Sequence, residues 1–213
     1  LSAPLAGSSG TGLAMNKVAV VTASFWLMKI CATTLGETAG DLLSMTLGVG
    51  YAWSSLLLIG LFATALASQV AARRFHAGLY WAVVLLASTA GTTMSDFMDR
   101  TLELGYATGS LILVSSLAAV LLVWRIVEGS LSVSDVETRR AELFYWAAIL
   151  CSNTLGTALG DYLADDSGLG FLGGAALIAG LLALVLAAVS IERERGGLVS
   201  DLEHPGLYLG ESG

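Results

Sequence analysis

Residues 25–51 read FWLMKICATTLGETAGDLLSMTLGVGY, and the same frame returns at 80–106 as YWAVVLLASTAGTTMSDFMDRTLELGY and at 145–171 as YWAAILCSNTLGTALGDYLADDSGLGF. An aromatic residue and a tryptophan open each copy: Phe25-Trp26, Tyr80-Trp81 and Tyr145-Trp146. Eight residues after each Trp stands a threonine (Thr34, Thr89, Thr154), and two further on a glycine (Gly36, Gly91, Gly156). Five residues beyond the glycine comes an aspartate: Asp41, Asp96, Asp161. Each copy closes on a glycine and a ring, Gly50-Tyr51, Gly105-Tyr106 or Gly170-Phe171. Self-similarity at fixed spacing is the mark of a repeat architecture, so one unit explains the whole chain.

Composition decides what the unit is made of. The 213 residues are 55% hydrophobic and 13% charged, with mean hydropathy +0.77. A soluble domain carries about 25% charge. Half that charge cannot cover a surface facing water, so an integral membrane protein is expected. Twenty-five glycines against two prolines suit helices that approach closely in lipid.

Six apolar stretches reach the roughly 20 residues that a bilayer core requires, near 17–41, 51–72, 79–98, 107–127, 142–164 and 169–190. They divide the chain into a segment 1–16, a first repeat 17–72, a second repeat 79–127, a linker 128–141, a third repeat 142–190 and a mobile polar tail 191–213. Ser134-x-x-Glu137 predicts a capping box before span five. Ala176 and Gly180, in small-xxx-small spacing on span six, read as helix packing.

The loops alternate in charge. Lys17, Arg73 and Arg74, Arg125, Arg139 and Arg140, and Arg193 and Arg195 fall on one side, while Asp99, Arg100, Glu103, Asp165 and Asp166 fall on the other. Basic loops stay inside, so both termini are expected in the cytoplasm. No cleavable signal is expected, because the first apolar run is too long and lacks a small-residue cleavage site.

Two spans per copy return the chain to its starting side. The expected fold is therefore all-α, with six transmembrane helices forming three parallel two-helix repeats in a pseudo-threefold arrangement. At about 100° per residue and with Gly36 at zero, Thr33 lies near 60°, Thr34 near 160°, Glu37 near 100° and Asp41 near 140°. Ser88, Thr89, Thr92 and Asp96, then Asn153, Thr154, Thr157 and Asp161, take the same face in the other copies.

An ionisable group at the membrane centre costs at least about 2.5 kcal/mol and is a functional candidate. The candidate cation ligands are Glu37, Asp41, Asp96 and Asp161 with the hydroxyls of Thr34, Thr89 and Thr154. The aspartates have an equally weighted structural role, locking neighbouring repeats together. Glu37 has no carboxylate counterpart, since Thr92 and Thr157 stand at its position. Lys29, opposite Val84 and Ile149 in the other copies, is either a buried cation held by carbonyls or a counter-charge coupled to a bound ion. The three tryptophans read as packing or interface anchors, and the Asp99-Arg100 and Asp165-Asp166 pairs as solvated loop charges.

Other classes drop out. A net charge of −7 argues against nucleic acid. Cys31 and Cys151 form no CxxC spacing, and His76 and His204 lie outside the spans. Neither a covalent nor a histidine-ligated cofactor is expected. Thr38 and Ala158 stand where a GxGD protease needs its first glycine, so no enzyme is expected.

KVAVVTASFWLMKICATTLGETAGD, EGSLSVSDVETRR and FYWAAILCSNTLGTALGDYL resemble a bacterial family of tandem two-helix membrane repeats, labelled uncharacterised membrane-anchored protein and of unknown function. The likeness spans about residues 16–190 and implies the two-helix unit with its tryptophan, matched at Trp26, Trp81 and Trp146. Such proteins typically have four repeats, and three are present here. The difference implies a slot that lipid, a second copy or a larger membrane complex would fill.

Two readings follow. One is an ion-coupled cation transporter, in which oxygen ligands suit hard ions such as Mg²⁺, Mn²⁺ or Ca²⁺. The other is an accessory subunit whose aspartate-threonine contacts are architecture.

Overall fold

The computed structural model describes residues 19, 22–72, 74–131, 136 and 138–203. It contains six α-helices, and no strand occurs among the described residues: α1 (Ala23–Asp41), α2 (Tyr51–Ala71), α3 (Ala77–Asp96), α4 (Tyr106–Glu128), α5 (Arg139–Asp161) and α6 (Gly170–Glu203). Lys17, Arg73, Ser134, Glu137 and His204, used above for orientation and capping, lie outside the described residues. The caps that are seen are threonines. Thr22 accepts from the Phe25 amide at 3.2 Å to start α1, and Thr138 accepts from the Ala141 amide at 3.0 Å to start α5. Each satisfies one orphan N–H of a first turn.

Each odd helix ends in the same way. Directly after Asp41, Asp96 and Asp161 the helix widens into a π segment, at Leu42–Thr46, Phe97–Thr101 and Tyr162–Asp166. The turn that follows the first two needs left-handed backbone at two places, Gly48 (φ 67°) with Gly50 (φ 81°), and Glu103 (φ 54°) with Gly105 (φ 72°). Gly168 (φ 78°) and Gly170 (φ 66°) repeat the pair in the third copy. Glycine adopts this region freely, which is why Gly-Tyr or Gly-Phe closes every copy.

Among the described residues, five helices are long and apolar enough to cross a membrane: Tyr51–Ala71, Ala77–Thr101, Tyr106–Glu128, Arg139–Asp166 and Gly170–Ile191. The first expected span is not among them. α1 begins at Ala23 rather than near residue 17, and it carries Lys29, Glu37 and Asp41 within 19 residues. The expected tail is also shorter, because α6 continues to Glu203.

The chain divides into two compact units, residues 1–162 and 163–213. In the first, α3 is the centre, burying Tyr80, Val83, Val84, Ala87 and Ala90. α1 and α5 flank it, each packed extensively on α3. The odd helices thus form an arc centred on α3, with two unmatched ends. The reason lies in the direction of packing: each copy offers a glycine face to the next copy, so three copies leave two ends. The even helices follow the same rule. α2 packs on α3 and α4 on α5, the odd helix of the following repeat in each case. Phe62, Trp124, Val136, Tyr145 and Trp146 complete the core around Tyr80.

In the second unit, Ser167 Oγ donates to the Leu163 carbonyl at 2.7 Å and accepts from the Leu169 amide at 3.2 Å, tightening the turn before α6. The Gly170–Ile191 part of α6 is apolar on nearly every face, with Phe171 and Leu172 more than three-quarters exposed. Such a surface is compatible with contact to lipid chains.

Candidate functional site

The odd helices meet at small residues. A Cβ on Gly36 would come within 2.6 Å of Ser88 Cβ, and one on Gly91 within 3.0 Å of the Thr154 amide nitrogen and 3.1 Å of Asn153 Cβ. Ser88 and Asn153 occupy the same repeat position, so one interface is used twice in the same register. The close approach is tied by hydrogen bonds. Ser88 Oγ donates to the Thr33 carbonyl at 3.1 Å, and the Thr92 and Thr157 hydroxyls pair at 3.3 Å.

Beside these contacts lies a polar cleft of about 200 Å³. Thr33 and Glu37 line it from α1, Ser88 and Thr92 from α3, and Ser152, Asn153, Gly156 and Thr157 from α5. The Asn153 Nδ2 is buried there without a hydrogen-bond partner. A polar cleft of this size holds water or a partly hydrated ion. Glu37 is its sole ionisable lining residue.

The structure brings only part of the expected ligand set to this cleft. Glu37 lines it, but Thr34, Thr89 and Thr154 do not. Thr89 and Thr154 donate back to the Leu85 and Leu150 carbonyls of their own helices at 2.9 Å. Both are buried against the glycine of the preceding copy, whereas Thr34, with no preceding copy beside it, is exposed. The residues that do line the cleft stand one place earlier (Thr33, Ser88, Asn153) and three places later (Glu37, Thr92, Thr157). Lys29 is half-buried on α1 and is not part of the cleft lining. Its carbonyl accepts from Thr33 Oγ1 at 2.9 Å.

The aspartates form a second tier at the ends of the odd helices, and they are not a bare ring. Arg100 Nε lies 3.1 Å from Asp96 Oδ1, and its Nη2 lies 3.6 Å from Asp161 Oδ2. Its guanidinium carbon is 6.0 Å from the centroid of Tyr51 and 5.9 Å from that of Tyr106. Asp99 is buried, accepts from Ser95 Oγ at 3.4 Å, and lies directly over Gly109 of α4. Asp99 is thus not the solvated loop charge expected from the sequence, whereas Arg100 pairs with the aspartates while its side chain stays 39% exposed. Among the described residues, no group of three or more His, Cys, Asp or Glu side chains is placed to hold one metal ion.

A third feature joins the copies at the other end of the odd helices. Phe25 packs on Trp81 with centroids 5.6 Å apart, and Tyr80 packs on Trp146 at 5.4 Å. The ring of one copy thus covers the tryptophan of the next. Trp146 is 1% exposed, and Trp26, with no ring before it, is 57% exposed. The Tyr80 and Tyr145 hydroxyls share a buried hydrogen bond of 2.9 Å.

An all-helical protein built from three copies of a two-helix unit, its polar groups gathered between the odd helices, is the class that fold and site define. The family described as Repeat of Unknown Function (DUF347) matches residues 24–75, 79–130 and 144–194, and the chain belongs to it. No curated protein and no solved structure matches the chain.

Proposed function

We propose that the chain is a bacterial inner-membrane protein with cytoplasmic termini and parallel repeats, and that it carries a hard cation through the cleft between its odd helices. The observation that supports this most is the cleft itself: one carboxylate, Glu37, stands at its accessible edge among hydroxyls and an amide contributed by three helices. One carboxylate with neutral oxygens suits an ion that keeps part of its hydration shell, as Mg²⁺ and Mn²⁺ do. The aspartates then act as a mouth that concentrates cations rather than as a chelating ring. Protons would couple to the ion through Glu37, which can carry either. The purified protein should gain thermal stability saturably with Mn²⁺, by about 2.7 kcal/mol at a hundredfold excess over Kd. Glu37→Gln should fold and lose that gain. Equal protection of both proteins would refute the cleft as the binding site.

A second reading, an accessory subunit or homo-oligomer, is favoured by the two open ends of the arc. Gly36 and Gly91 are buried and Gly156 is exposed, while Thr89 and Thr154 are buried and Thr34 is exposed. No atom lies within 4 Å of where a Cβ on Gly156 or Gly160 would sit among the described residues. α5 therefore offers the face that α1 and α3 use internally. Native mass after gentle extraction decides between the readings: a stoichiometric complex supports the subunit, and a lone chain rejects it.

A further inference from the structure

The mouth of the cleft carries a cation of its own. The repeat positions that match Arg100 are Met45 in the first copy and Asp165 in the third, so only one copy places a positive charge here. That charge reaches across the repeats. Its pairs are Asp96 of its own helix and Asp161 of α5, and its flanking rings open α2 and α4. Asp41 at the end of α1 and Asp99 on the same π segment also interact with it electrostatically. Thus α2, α3, α4 and α5 each place a group beside the guanidinium.

Three physical facts define what such a residue does. A guanidinium does not lose its proton in a protein, so it cannot vacate the site by neutralisation. The Asp96 side chain is 4% exposed, and a carboxylate so placed is strongly destabilised when its partner is removed. The Arg100 side chain is 39% exposed and long, and can swing outward while its backbone stays fixed. The two parallel contacts are also unequal, 3.1 Å to Asp96 and 3.6 Å to Asp161, so the link across the repeats is the looser one.

We infer that Arg100 is the resident counter-ion of the aspartate mouth, a tethered gate that an incoming cation must displace from between Asp96 and Asp161. This inference rests on the cation-carrying reading above. Ion arrival and departure exchange one positive charge for another, so the aspartates are never left unpaired. The specificity that results is against weakly charged ions: a competitor has to offer Asp96 and Asp161 at least what a ring-flanked guanidinium bridging the two does.

The test is equilibrium Mn²⁺ binding to the purified full chain, read by electron paramagnetic resonance. It is made in a Glu37→Gln background, where only the mouth is left to bind Mn²⁺ and the resident Arg100 keeps that binding weak. Adding Arg100→Gln should tighten Mn²⁺ binding at least tenfold, and adding Asp96→Asn with Asp161→Asn should remove the gain. A folded Arg100→Gln protein with unchanged Mn²⁺ affinity overturns the inference. If that variant does not fold, Arg100→Lys replaces it, since a point charge cannot hold both carboxylates and both rings. Lysine should give at least a threefold gain, and none overturns the inference. Ion flux through wild-type protein is a separate readout. Its absence rejects transport, whereas unchanged Mn²⁺ affinity rejects the gate, and each failure is visible without the other.

Discussion

At the scale of single residues, the same amino acid has different consequences in different copies, because neighbours exist for some and not for others. Gly36→Ala forces a Cβ to within 2.6 Å of Ser88 Cβ on a packed helix, and overpacking of this kind costs about 1–3 kcal/mol. Gly156→Ala meets no neighbour within 4 Å, and replacing a mid-helix glycine by alanine gains about 0.5–1 kcal/mol. Thermal unfolding in detergent should therefore fall for the first and rise or hold for the second. Equal losses would mean that the Gly156 face is covered. The three glycines are identical in the repeat frame, so this difference was not legible in the sequence. Which copy lacks a neighbour depends on the direction in which copies pack.

At the scale of elements, the turn between odd and even helices shows how a repeat tolerates one exception. Glu103 holds a left-handed backbone (φ 54°) where Gly48 and Gly168 stand in the other copies. An L-residue there costs about 1–2 kcal/mol, partly offset by the entropy that glycine would lose. Glu103→Gly is expected to raise stability by about 0.5–1 kcal/mol, while Gly48→Ala should lower it by about 1 kcal/mol. A loss on Glu103→Gly, measured by thermal unfolding, would mean that the Glu103 side chain holds the turn. The helix count, the glycine-aromatic turns and the aspartate at each odd helix end were all readable from spacing. The π segments were not, because one extra residue per turn leaves no compositional trace. They continue the winding past the last aspartate of the motif, so that Asp99 is buried over Gly109 and Arg100 reaches the aspartates where the sequence suggested loop charges. A trace of Arg100 was nonetheless available. It lies four residues after Asp96, the spacing of a helical ion pair, at a repeat position held by Met45 and Asp165 elsewhere.

At the scale of the molecule, the repeat frame places one polar face per copy, and Thr33, Glu37, Thr92 and Thr157 of those faces line a single cleft. It does not separate them from Thr34, Thr89 and Thr154. Helical angles define a face relative to one helix, but the packing of glycine against Ser88 or Asn153 decides how that face turns toward its neighbours. Thr89 and Thr154 consequently lie on the interface between copies, Thr34 is exposed, and Thr33, Thr92 and Thr157 lie on the cleft. Three copies make an arc with a glycine face at one end and a threonine face at the other, and a symmetric reading of the sequence hid both ends.

The central claim is that Glu37 binds the ion that the cleft carries. Its most direct test is Mn²⁺ uptake into sealed liposomes containing the purified chain, compared with liposomes containing Glu37→Gln at the same density and with the same thermal stability without ion. The account predicts saturable uptake by the wild-type protein and background uptake by the variant. Equal uptake by the two, or none above empty liposomes for the wild type, would contradict it.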